Sequence, residues 1–107
     1  MHYKKVIMAQ TFSEIIKNSK PVLVDFYADW CGPCRMMKPI LENVKQKVGD
    51  DATIIKVDLD KNSATAATYN VTSIPTLMIF QNGEVKWRQA GVVQANQIIQ
   101  QLNNCKK

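Results

Sequence analysis

No apolar run in this sequence exceeds four residues, at positions 6–9 and 77–80. A membrane-spanning helix needs roughly 18, so none is expected. The amino-terminal stretch Met-His-Tyr-Lys-Lys-Val-Ile lacks a long apolar core followed by a small-residue cleavage site, which argues against a secretion signal. Arginine is scarce: of 14 basic residues only Arg35 and Arg88 are arginines, and the lysines are scattered. A nucleic-acid binder gathers its charge into a stripe and uses arginine for bidentate phosphate contacts. The net charge of +5 therefore reads as a solvated surface that favours acidic partners at encounter, not as a nucleic-acid face. Three cysteines are too few for a stapled extracellular scaffold. Repeats, linkers and low-complexity tracts are missing as well. What is there is ordinary globular usage, 46% hydrophobic and 21% charged over 107 residues, which suits one domain spanning residues 1–107. The expectation is a soluble, cytoplasmic, monomeric protein.

Strands and helices alternate along the chain. Residues 4–8 read as a short strand, and Thr11-Phe12-Ser13-Glu14 as a capping box opening a helix to about Asn18. Pro21 introduces residues 22–28, nearly continuous in apolar residues, as in a strand covered on both faces. A long helix follows to Val48, where Gly49 stops it; Pro39 within it should kink it. Residues 53–58 form a second buried strand and 63–69 a short helix. Strands at 76–81 and 84–90 flank Asn82-Gly83, a hairpin turn whose two positions need positive φ. A last helix covers about 94–106. The order is βαβαβαββα, an α/β fold with a parallel start and an antiparallel hairpin.

Cys31 and Cys34 form a Cys-x-x-Cys, which in a reducing compartment is a redox dithiol or half of a metal site. A zinc site would need Cys105 and His2, from opposite ends of the sequence, to complete four ligands. Placement between a strand and a helix favours redox use, and no metal is expected. Cys34, Met37, Leu41, Val44 and Val48 repeat at spacings of three and four, so Cys34 begins the core-facing stripe. Cys31 stands at the helix start, before Gly32 and Pro33, where the helix dipole stabilises a thiolate. Cys31 is thus expected near solvent as the nucleophile, and Cys34 beneath it as the resolving thiol.

The segment Val22-Leu-Val-Asp-Phe-Tyr-Ala-Asp-Trp-Cys-Gly-Pro-Cys-Arg-Met-Met-Lys-Pro39 resembles the active-site segment of the thioredoxin family. The likeness continues through Lys56-Val-Asp58, Val71-Thr-Ser-Ile-Pro-Thr76, Phe80-Gln-Asn-Gly83 and Gly91, essentially the whole chain. Tyr27, where many members have tryptophan, and the extra Cys105 are its departures. The resemblance implies a thioredoxin-like fold, a central mixed sheet flanked by four helices, and a protein-disulfide reductase with a redox-active Cys31-Cys34 disulfide. It implies a shallow apolar groove of Trp30, Gly32, Pro33, Ile74, Pro75, Gly91 and Val92, with a cis bond before Pro75. Taken alone, Pro75 reads equally as a strand-start proline, and Trp30 as core. The resemblance further implies recycling by an NADPH-dependent flavoprotein thioredoxin reductase, with no cofactor bound to this chain. Ribonucleotide reductase, peroxiredoxins and methionine sulfoxide reductase would be among its targets.

Asp25 interrupts a buried strand, where an unpaired carboxylate is costly. Either it points to water at a strand edge or it is buried, and then the resemblance makes it the proton acceptor for Cys34, with Lys56 a charge partner in the next strand. Cys105 extends the Ile98, Leu102 stripe and reads as an apolar filler, or as a regulatory thiol. Two other functions fit such a chain: an exported disulfide oxidant or isomerase, and a non-redox binding subunit of a larger complex.

Overall fold

The apolar segments 22–27, 53–58 and 76–81 become the inner strands of a five-stranded sheet. A computed structural model describes residues 4–6 and 9–106 of the chain. Its strands are β1 (Lys4–Val6), β2 (Val22–Tyr27), β3 (Thr53–Asp58), β4 (Thr76–Gln81) and β5 (Glu84–Ala90), and its helices α1 (Ala9–Ile15), α2 (Gly32–Val48), α3 (Ser63–Thr68) and α4 (Ala95–Asn104). A single 3-10 turn, Gly49–Asp51, follows α2. The strand order is β1-β3-β2-β4-β5. β3 pairs in parallel with both β1 and β2, whereas β4 runs antiparallel to β2, and β5 to β4. This is the mixed sheet with four helices that the sequence pattern implies.

Pleat alternation divides the core into two halves. On one face Leu23, Ile54, Leu77 and Ile79 pack against Met37, Leu41 and Val44 of α2 and Ile98 and Leu102 of α4. On the other, Val24, Phe26, Ile55, Val57 and Phe80 pack against Phe12 and Ile16, with Phe12 and Phe80 edge to face at 5.6 Å. β2 is buried along its whole length, as expected of a strand covered on both faces. At the hairpin, Asn82 and Gly83 have φ of 54° and 81°, the left-handed values such a turn demands. Gly49, at φ 54°, ends α2.

Several element ends differ from the sequence reading: β2 closes at Tyr27 and α3 at Thr68, each one residue early, and α1 closes at Ile15. Helix α1 begins at Ala9, so Thr11 lies inside it and is not its cap. A Thr-x-x-Glu spacing fits a helix interior as well as a capping box; burial of Phe12 and Ile16, one turn apart, sets the helix here. β1 is described over Lys4–Val6, and positions 7 and 8 of the expected strand lie outside the described residues. α4 spans Ala95–Asn104, with Gln94 as its cap, shorter than the expected 94–106. Pro39 lies within α2, where its missing N–H leaves the Arg35 carbonyl without its helical donor.

Candidate active site

Cys31 occupies the cap position of α2 because Gly32 and Pro33 form its first turn. A cap side chain accepts an N–H that the first turn leaves unpaired, and here the Cys34 amide donates to Cys31 Sγ at 3.2 Å. The two cysteines are joined in a disulfide with Cα atoms 5.3 Å apart. Upon reduction, the same amide and the helix dipole would act on the Cys31 thiolate.

The expected difference in exposure between the two sulfurs is not found. Cys31 is 4% exposed and Cys34 7%. Both cysteines pack with Tyr27 and Ala28 at the end of β2, and Ile74 lies against them; that closure shields Cys31 although it stands at the helix start. The asymmetry lies in direction. Cys31 Sγ is 3.8 Å from the Ile74 carbonyl oxygen, whereas Cys34 lines a cleft of about 180 Å³ with Tyr27, Asp29, Arg35, Lys38 and Lys56.

Of the expected groove residues, Ile74 packs against the cysteine pair, and Val92 against the core beneath α2. The Ile74-Pro75 bond is cis, and the Gly91 amide donates to the Pro75 carbonyl at 2.8 Å, tying the end of β5 to this loop. Gly91 has φ 88°, a left-handed value that glycine adopts readily. Ile74 and Val92 are half-buried, Pro75 is buried, and Gly32 and Pro33 are exposed. Trp30 is 68% exposed and so not core. Its Nε1–H donates to Asp60 Oδ2 at 2.9 Å, which fixes the indole against the turn after β3. Asp60 was not legible in the sequence, because only the β2–β3 pairing brings residues 30 and 60 together. Arg88 is a second such residue: from β5 it donates to the Tyr69 carbonyl and, at 2.7 Å, to that of Asn70, clamping the chain that leads to Ile74.

Asp25 is 1% exposed, and its Oδ1 accepts no hydrogen bond, so the water-facing alternative is excluded. Burial pushes its pKa from 3.8 up to about 7, against the opposing pull of Lys56. Lys56 is its register partner on β3, which places both side chains on the α2 face. The Lys56 ammonium lies 4.3 Å from the Tyr27 ring centroid. Burial also raises the Tyr27 pKa, helped by Asp58, Asp29 and Asp25.

Cys105 sits elsewhere. Gln81, at the far end of β4 from Thr76, donates to its carbonyl at 3.3 Å, so the length of the sheet separates it from the cysteine pair. It cannot complete a ligand set with them, and His2 lies outside the described residues. The half-buried thiol packs against the α2-side core, and burial raises its pKa. Cys105→Ala is therefore expected to keep full reductase activity in a disulfide-reduction assay; a large fall in turnover would give this thiol a part in the chemistry.

The thioredoxin family model matches residues 4–104. A thioredoxin-like protein of Synechocystis is 51% identical over 92 residues, which cover 85% of this chain and 88% of that protein. The chloroplastic thioredoxin Y of rice is 46% identical over 88% of this chain, which spans 56% of that protein's length. Among solved structures, a mutant thioredoxin from Halobacterium salinarum superposes with a TM-score of 0.87 at 32% identity, covering 96% of this chain and 89% of that one. The Cys31-Cys34 pair thus stands in the active-site position of a thiol–disulfide oxidoreductase that reduces protein disulfides, and the chain belongs to the thioredoxin family.

Proposed function

We propose that Cys31 is the nucleophile, Cys34 the resolving thiol and Asp25 the proton acceptor in the reduction of target protein disulfides. The observation that carries this division is directional: Cys31 faces the groove beside Ile74, and Cys34 faces the cleft beside Lys56. A target segment laid along Trp30, Pro33, Ile74, Pro75 and Gly91 in extended form, like an added strand, brings its disulfide to Cys31. The Cys31 thiolate attacks one target sulfur, the target S–S bond breaks, and the departing target sulfur takes a proton. A mixed disulfide results. The Cys34 thiol then gives its proton to Asp25, and its thiolate attacks Cys31 Sγ. The bond to the target breaks, and the second target sulfur leaves as a thiolate that is protonated in turn. Two electrons pass from the dithiol to the target, and the Cys31-Cys34 disulfide remains. A carboxyl with a pKa of about 7 suits this exchange, because a base is most useful near ambient pH.

Nothing in this cycle requires a cofactor bound to the chain. Electrons would come from an NADPH-dependent flavoprotein thioredoxin reductase. Targets would include ribonucleotide reductase, peroxiredoxins and methionine sulfoxide reductase. The cytoplasm is the compartment this reading favours, although rice thioredoxin Y is chloroplastic, so the family also serves plastids. The test is insulin reduction coupled to NADPH consumption through a thioredoxin reductase. Steady NADPH loss that depends on this chain supports the reading, and precipitated insulin without NADPH turnover would remove the reductase partner from it. No reduction at all would favour a binding subunit.

A further inference from the structure

Tyr27 lines the same cleft as Cys34, and no step proposed so far uses it. It shares the α2 face of β2 with Asp25, two residues earlier, and its ring meets the Lys56 ammonium at 4.3 Å. Lys56 is therefore held between two attractions. One is the electron-rich face of an aromatic ring; the other is a buried carboxyl with an oxygen that accepts no hydrogen bond. An ammonium that moved onto that oxygen would favour the ionised carboxylate and make it a poorer proton acceptor.

We propose that Tyr27 is a positioning residue for the resolution step: its ring holds the Lys56 ammonium beside the Asp25 carboxyl and not on it, so that the carboxyl stays basic enough to accept the Cys34 proton. The other ionisable groups around this pair are Asp58 on β3, Asp29 after β2, and Cys34, Arg35 and Lys38 on α2; β4 presents the apolar Leu77 opposite Asp25. Tyr27 is the aromatic ring that meets the ammonium among the described residues. At Asp25 burial outweighs the pull of Lys56 and holds the pKa at about 7. The proposal rests on Asp25 being the proton acceptor, but it predicts a titration that can be read without any turnover.

The experiment follows the Asp25 side-chain carboxyl carbon by NMR across pH in the reduced protein. Tyr27→Leu is expected to lower its midpoint by about one pH unit or more, as an opposite charge drawn closer does. Tyr27→Phe keeps the ring and is expected to keep the midpoint. Tyr27→Met serves as a second ringless variant should the leucine fail to fold. In a Lys56→Gln background the ringless change should shift the midpoint far less, because the charge being positioned is gone. An unchanged or raised midpoint in the ringless variants would overturn the proposal. So would an equal fall in the Lys56→Gln background, which would make the ring a lid against water. Failure of Asp25 as proton acceptor would show elsewhere, as unchanged resolution rates in Asp25→Asn.

Discussion

Cys34→Ser is expected to turn the protein into a trap. Serine keeps the backbone amide that donates to Cys31 Sγ and leaves the start of α2 intact, so Cys31 retains its cap position and the dipole that favours its thiolate. Attack on a target proceeds, the mixed disulfide forms, and no thiol stands behind it to break it. Turnover should fall to background while one target accumulates per chain, visible by non-reducing electrophoresis and by mass spectrometry. Cys31→Ser should also abolish turnover, but without trapping, because Cys34 faces the cleft lined by Tyr27, Lys38 and Lys56 and not the groove. Both variants are best made with Cys105→Ala, which removes the remaining free thiol. Equal trapping by the two would mean that the direction of the sulfurs does not set their roles.

The placement of the two cysteines was legible in the sequence. A cysteine ahead of Gly32-Pro33 at a helix start, and another that opens an apolar stripe of period 3.6, are local patterns, and the fold realises both. Strands β3, β4 and β5 have the ends read from their residues, since alternation and the Asn82-Gly83 turn are written over short stretches. Exposure was not legible. Whether Cys31 meets water depends on Ile74 closing over it from a loop 43 residues away, and on the state of the disulfide. The partners of Trp30 and Lys56 depend likewise on strands aligned only in the folded sheet. The capping box at Thr11 failed for a different reason: its spacing is shared by helix interiors, and core contacts of Phe12 and Ile16 decide where the turns begin. Asp25 was legible as an anomaly because a charge inside an apolar strand is conspicuous. Its burial, which excludes the water-facing alternative, comes from β2 lying between β3 and β4 under α2.

Asp25→Asn is expected to move stability and activity in opposite directions. The folded-state pKa of Asp25, about 7, lies above the value of 3.8 that stands for the unfolded chain. The folded protein therefore holds this proton more tightly than the unfolded one does, and the contribution to stability is fully present below pH 3.8. It is lost as pH rises towards 7 and does not change further above that. A difference of this size makes the ionised carboxylate cost on the order of 4 kcal/mol at pH 8. Asparagine keeps the shape and removes the charge but still buries a polar amide, so the net gain should be about 1–4 kcal/mol. Denaturant midpoints across pH provide the check: the advantage of the variant should be largest near pH 8 and vanish near pH 4. The same change removes the group that receives the Cys34 proton. Resolution of the mixed disulfide should then slow at neutral pH, by up to the 10²–10⁴-fold typical of a general base, and by less where solvent entering the cleft beside Lys56 takes the proton instead. Raising the pH should recover the rate, because Cys34 then deprotonates without help. A variant that is no more stable at pH 8, with resolution unchanged, would place the charge penalty and the base on other residues.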